Sequence, residues 1–149
     1  MGRDAGFTLL EVVIAGALTA TLLIVLAQAL VKGMATYYQQ EIRAELYQMG
    51  RVALDRTTRD LRAGGLPVVA AESVEFPFDS NGDDVFDSVR RYEKDGDRLV
   101  RQTDAGPPEI LAEKIDSVLF AGEDFTTIEI ALKDGDETVV LRTGVRHEN

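Results

Sequence analysis

Cysteine is absent, which removes disulfides, thiolate zinc sites and cysteine nucleophiles together. Histidine occurs once, at His147 beside Glu148 in the C-terminal tail, a position expected to fray. No Ser–His pairing, phosphate-cradling loop or two-histidine metal motif is present, so nothing supports an enzyme. Basic clusters are also missing. Lys and Arg number 16 against 26 Asp and Glu, giving a net charge of -10, and the arginines are scattered among acids. That balance argues against a nucleic-acid surface, which needs concentrated positive charge. An acidic exterior of this kind serves solubility. At 149 residues the chain has room for one domain and a long N-terminal element.

Charge is missing altogether from Val12 to Val31. Thr19, Thr21 and Gln28 are the only polar side chains there, Gly16 is the only glycine, and Lys32 follows as an interfacial anchor. As a helix this run spans roughly 30 Å, the thickness of a bilayer's hydrocarbon core. It predicts insertion into a membrane. Three fates compete: a secretory signal peptide cut at Ala27-Gln28-Ala29, a plain signal anchor, and a third that must account for Glu11 at the edge of the run. A carboxylate there costs several kcal/mol unless it meets a cation. A cut between Gly6 and Phe7 would place a new α-amine about one helical turn from Glu11. In a neighbouring copy the same amine would turn that carboxylate into a register pin.

The stretch GFTLLEVVIA, Gly6 to Ala15, resembles the class III signal of type IV prepilins and of type II secretion pseudopilins. The resemblance implies cleavage after Gly6 by prepilin peptidase, N-methylation of Phe7, and pairing of Glu11 with the N-terminus of an adjacent subunit. Its implied partners are other pilins or pseudopilins and an inner-membrane assembly platform. The leader departs from the pattern in carrying Arg-Asp-Ala before Gly6, which leaves orientation to Arg3 and the Met1 amine.

Beyond the run, no proline interrupts Met34 to Ala63, and apolar residues recur at helical spacing: Tyr38, Ile42, Leu46, Met49, Ala53 and Leu61, with Thr57 in phase. The other face carries Arg43, Arg51, Asp55, Arg59 and Arg62, and Arg51/Asp55 and Arg56/Asp60 are expected as i,i+4 pairs. Gly33 and Gly50 read as tolerated helix glycines. Tyr37, Tyr38 and Tyr47 are expected to pack in a core rather than to stack for electron transfer, with Tyr37 and Tyr38 as alternative interfacial anchors. Ala63-Gly-Gly-Leu-Pro67 stops the helix. The expectation is a helix from Phe7 to Ala63, roughly 85 Å long.

From Leu66 to Asn149 the pattern changes to short, alternating, β-branched segments: SVEFPF, DSVRRYE, DRLVRQT, KIDSVLFA, FTTIEIAL and ETVVLRT. Asp95-Gly96 and Asp134-Gly135 are hairpin signals. So few residues bury little core alone, so an antiparallel sheet laid on the helix stripe is expected. The fold class is therefore α+β, the ladle that the pilin resemblance also implies. Residues 1–6 form the leader, 7–33 the membrane or filament-core helix, 34–65 its amphipathic second half, and 66–149 the β-rich domain. The segments Met49–Gly65 and Asp79–Gln102 further resemble minor subunits of the PilW and GspJ kind, which implies a role in priming assembly near a filament tip.

Asp79, Asn81, Asp83 and Asp87 are the candidate metal ligands, spaced like the first half of an oxygen-ligand calcium loop, although Asp84 and Arg90 stand where a full loop wants Gly and Glu. The same stretch also reads as a solvated turn built on Asn81-Gly82. Calcium is the one cofactor these residues suggest. The expected protein is a non-enzymatic minor pilin or pseudopilin of the bacterial inner membrane, single-pass, with its C-terminal domain on the periplasmic or extracellular side. The alternative is a secreted or membrane-anchored acidic domain that binds calcium or another ligand and has no assembly role.

Overall fold

A computed structural model describes residues 8–83, 85–104, 106–122 and 125–146. They hold one helix, α1 (Leu9–Ala63), and eight strands: β1 (Val68–Val69), β2 (Ser73–Phe78), β3 (Ser88–Asp95), β4 (Arg98–Thr103), β5 (Glu109–Ala112), β6 (Ile115–Ala121), β7 (Phe125–Asp134) and β8 (Glu137–Arg146). By internal contacts the chain forms two units, 1–40 and 41–149.

The first unit is helical from Leu9 onward. Its apolar side chains are exposed on every side, from Ile14 at 50% to Leu9 at 85%. A helix apolar all round requires an apolar surrounding. Tyr37 and Tyr38 meet edge to face with centroids 6.3 Å apart, and both stay mostly exposed, as does Tyr47 in the second unit. At that exposure the core packing expected for these tyrosines is not found.

In the second unit, Leu46, Gly50, Ala53, Leu54, Thr57 and Leu61 are buried, and Ile42 and Met49 pack at the margin. Thr57 is fully buried and donates its hydroxyl to the Ala53 carbonyl at 2.8 Å, so the helix itself satisfies it. Gly50 is more than a tolerated glycine. A Cβ there would stand 2.5 Å from Leu141 Cδ1 and 2.6 Å from Leu132 Cδ1, so its absence lets the second sheet approach the helix. The helix ends at Ala63 as expected, but not through a left-handed residue: neither Gly64 nor Gly65 has positive φ. Instead a Cβ at Gly64 would lie 2.3 Å from the Phe76 ring, and the Gly65 amide donates to the Pro77 carbonyl at 2.9 Å.

Two antiparallel sheets cover this stretch of α1 where one was expected: β1-β2-β3-β4-β5 and β6-β7-β8. Inward-facing Val74, Phe76, Tyr92 and Leu99 come from the first, and Val118, Phe120, Ile128, Ile130, Leu132 and Val145 from the second; all are nearly or fully buried. Full burial of each such side chain contributes about 1.5–3 kcal/mol. Phe76 and Tyr92 stack at 6.0 Å with planes 9° apart, joining β2 to β3. The sequence pattern missed β1 and β5, which have two and four residues and adjoin Pro67 and Pro107-Pro108.

Both Asp-Gly hairpins form, with the loop one residue later than an Asp-Gly loop would have it. Asp95 pairs with Arg98 and Asp134 with Glu137, so Gly96-Asp97 and Gly135-Asp136 are the loops. Only the glycines have positive φ, at 61° and 57°, the sign pattern of type II′ turns. Between the sheets the chain turns at Lys114, the only non-glycine residue with positive φ among those described. Its ammonium reaches Asp134 at 2.8 Å and Glu45 at 3.5 Å, its carbonyl accepts the Lys133 amide, and the next amide, Ile115, donates to the Asp97 carbonyl at 2.8 Å. The Asp134 hydrogen bond raises the Lys114 pKa above its ordinary value.

Candidate functional site

Gly6 and Phe7 lie outside the described residues, as does His147. Glu11 is described, and its geometry is specific. The Thr8 amide and the Thr8 hydroxyl both donate to Glu11 Oε2 at 2.9 Å, and the Glu11 amide lies 3.3 Å from the Thr8 oxygen. This is a capping box: Thr8 and Glu11 satisfy each other's backbone at the first turn, where the helix leaves amides without partners. The spacing Thr-x-x-Glu in GFTLLE announces it, yet sequence reasoning treated Glu11 only as a charge seeking a cation. The box also places the carboxylate at the positive end of the helix dipole. Among the described residues Oε1 accepts no hydrogen bond, so Glu11 can hold its own helix start and still present an oxygen to a cation.

Downstream, the hydroxyls of Thr19, Thr21 and Thr36 donate to the carbonyls of Ala15, Ala17 and Lys32 at 2.8, 2.9 and 3.0 Å. The three threonines therefore present no unsatisfied hydroxyl to an apolar surrounding. α1 is long and apolar enough to cross a membrane.

The acidic loop folds on itself. Asp79 Oδ1 accepts the amides of Asn81 and Gly82 at 3.1 and 2.7 Å, Asp83 Oδ1 accepts the Val85 amide, and Asn81 Nδ2 donates to Asp83 Oδ2. Asp87 turns the other way and takes the Ser80 amide and hydroxyl at 2.9 and 2.8 Å. Those two bonds, the amide first, hold the Asp87 carboxyl below its ordinary pKa. Gly82 carries a φ of 79°, the solvated-turn geometry of Asn-Gly. A calcium cage needs several of these oxygens converging on one point. As folded, the loop aims them at its own amides, and among the described residues no group of three or more His, Cys, Asp or Glu is placed to hold a metal ion.

The most concentrated electrostatics lie elsewhere, at the end of α1. Asp60 points into the first sheet, where its Oδ2 accepts the Tyr92 hydroxyl, Arg90 at 2.8 Å and Arg101 at 3.0 Å. Arg101 continues to Glu109, and Glu109 to Arg56 at 2.8 Å. Arg90 also lies 3.2 Å from the centroid of Phe78, a cation–π contact. Burial, then the Asp60 bond, raises the Tyr92 pKa well above its ordinary 10.0. The expected Arg56/Asp60 and Arg51/Asp55 helix pairs are replaced: Asp60 and Arg56 both turn to the sheet, and Asp55 pairs with Arg59. Sequence reasoning missed this network. Its one signal was Arg90 and Arg101 on the inward phase of their strands, opposite Thr103 and Tyr92.

Fold and site together define a class: an α+β chain whose capped, apolar N-terminal helix is able to cross a membrane and leads into a two-sheet domain locked to the helix end by a charged network. Comparison with protein families, curated proteins and solved structures gave no match.

Proposed function

We propose that this chain is a minor pilin or pseudopilin, a structural subunit held in a bacterial inner membrane, cut after Gly6 by prepilin peptidase, and drawn into a type IV pilus or type II secretion pseudopilus at or near its tip. The reading rests above all on Glu11: a lone carboxylate at the edge of the apolar run that ends at Val31, with one oxygen committed to Thr8 and the other open among the described residues. In lipid that open oxygen is costly. In a bundle of like helices the α-amine of Phe7 from a neighbouring copy neutralises it and sets the axial register, while exposed Leu, Ile and Val side chains pack against neighbours instead of lipid.

Intact mass and N-terminal sequence of the membrane-extracted chain test the processing step. A start at Phe7 carrying an added methyl group is expected; a start at Leu30, after Ala27-Gln28-Ala29, overturns the proposal. Glu11→Ala is expected to leave membrane insertion and the β-domain intact while impairing incorporation into filaments, and unchanged incorporation would refute the charge pairing.

A further inference from the structure

The strand edges of the domain are not equivalent. β1 has two residues and follows Pro67; β5 has four, follows Pro107-Pro108, and meets β4 through a register shift. The outer edge of β6 is engaged, its Ile115 and Phe120 amides donating to Asp97 and Ala71. Short strands, prolines, bulges and covering loops are the usual guards against unwanted strand pairing. Among the described residues β8 has no proline, register shift or covering loop, and of the usual guards it carries only charge, at Arg142 and Arg146. It runs ten residues in unbroken register with β7.

The tight loop fixes which of its backbone groups are free. Asp134 and Glu137 flank a two-residue turn and so form a hydrogen-bonded pair, and alternation assigns the odd-numbered residues of β8 to the β7 ladder. Thr138, Val140, Arg142, Gly144 and Arg146 therefore aim N–H and C=O outward, and no backbone hydrogen bond to another part of the described chain takes them. Their side chains share the sheet's outer face, where Val140 is 58% exposed and Arg142 and Arg146 form no ion pair among the described residues.

We infer that β8 is a docking edge for an extended segment of another protein, added as a fourth strand to the small sheet, with carboxylates at alternate positions facing Arg142 and Arg146 and apolar residues between them. Backbone pairing supplies the affinity and the two guanidinium groups the selectivity. A second copy of β8 paired about Arg142 would set like charges opposite each other, and dimers in any other register are an outcome of the test below. The inference stands apart from the filament reading and does not depend on processing at Gly6.

The test uses the full chain in detergent micelles and a fluorescent peptide of matching length that alternates valine and glutamate, read by anisotropy. Binding is expected, with a peptide carrying lysine for glutamate binding at least about tenfold more weakly. Val140→Pro removes an outward N–H that the β7 ladder does not use, so the fold persists while peptide affinity falls about tenfold or more. The pair Arg142→Glu and Arg146→Glu, which leaves the backbone whole, should reverse the preference between the two peptides. No binding by the parent chain, or equal binding by all variants, overturns the inference. Concentration-dependent dimers abolished by Val140→Pro would also overturn it, by assigning the edge to a second copy.

Discussion

Replacing Asp60 with alanine removes one oxygen that accepts from three donors on a neighbouring sheet. The side chains concerned are enclosed: Asp60 is 15% exposed, Arg90 18% and Arg101 26%. Loss of one partner from a buried pair leaves an uncompensated charge, at a cost of about 3–5 kcal/mol. Here the lower end applies, since Arg101 keeps Glu109 and Arg90 keeps the face of Phe78. Asp60→Ala should therefore destabilise the domain by about 3 kcal/mol. Asp60→Asn retains shape and an acceptor, and should cost about 1–2 kcal/mol; Tyr92→Phe, which deletes a single donor, about 1 kcal/mol. Asp55→Ala is the control. Its pair with Arg59 is 69% and 74% exposed, and its loss should cost less than about 0.5 kcal/mol. Native-state hydrogen exchange of amides in β2 to β4, in detergent micelles, gives the opening free energy for each variant without a tryptophan probe, which the chain lacks. If Asp60→Ala and Asp55→Ala destabilise equally, the network contributes no more than a surface pair, and the account given for the helix–sheet junction is wrong.

Gly50→Ala gains about 1 kcal/mol of helix propensity but drives a methyl group into Leu132 and Leu141, an overpacking cost of about 1–3 kcal/mol. A net loss of about 1 kcal/mol is expected by urea denaturation, whereas Gly33→Ala, which meets nothing within 4 Å, should not destabilise. The acidic loop should respond to acid. Because the folded Asp87 carboxyl is held below its ordinary value, its contribution is complete above about pH 4 and disappears as pH falls through the lower folded value. Exchange of the Ser80 amide should accelerate over that acidic window, and Ser80→Ala should move the onset upward; a rate that tracks only intrinsic exchange would refute the Ser80–Asp87 bonds.

Periodicity made most of the secondary structure legible. A 3.6-residue repeat ran without proline to Ala63, and the helix ends there; alternation in SVEFPF, Ser73 to Phe78, matches β2 at both ends. Where the pattern failed, length was the cause. β1 and β5 are too short to show an alternation, and prolines beside them read as loop. The capping box is legible in Thr8-x-x-Glu11, where one carboxylate both caps the helix's own first turn and stands as a charge beside an apolar run.

The sequence by itself determined what is local: an apolar run of membrane length, hairpins at Gly96 and Gly135, and a turn at Asn81-Gly82. These depend on contacts within a few residues, which chain order dictates. Only the tertiary structure decided the division into two sheets, the close approach at Gly50, the left-handed Lys114 at their junction, and the open edge of β8. It also chose the partners of Asp60, which lie 32 and 41 residues away at Tyr92 and Arg101 rather than one turn along the helix at Arg56. The physical reason is the difference in setting. An exposed i,i+4 pair is worth a few tenths of a kcal/mol, and a partly buried cluster sharing one carboxylate outweighs it once the strands bring its members together.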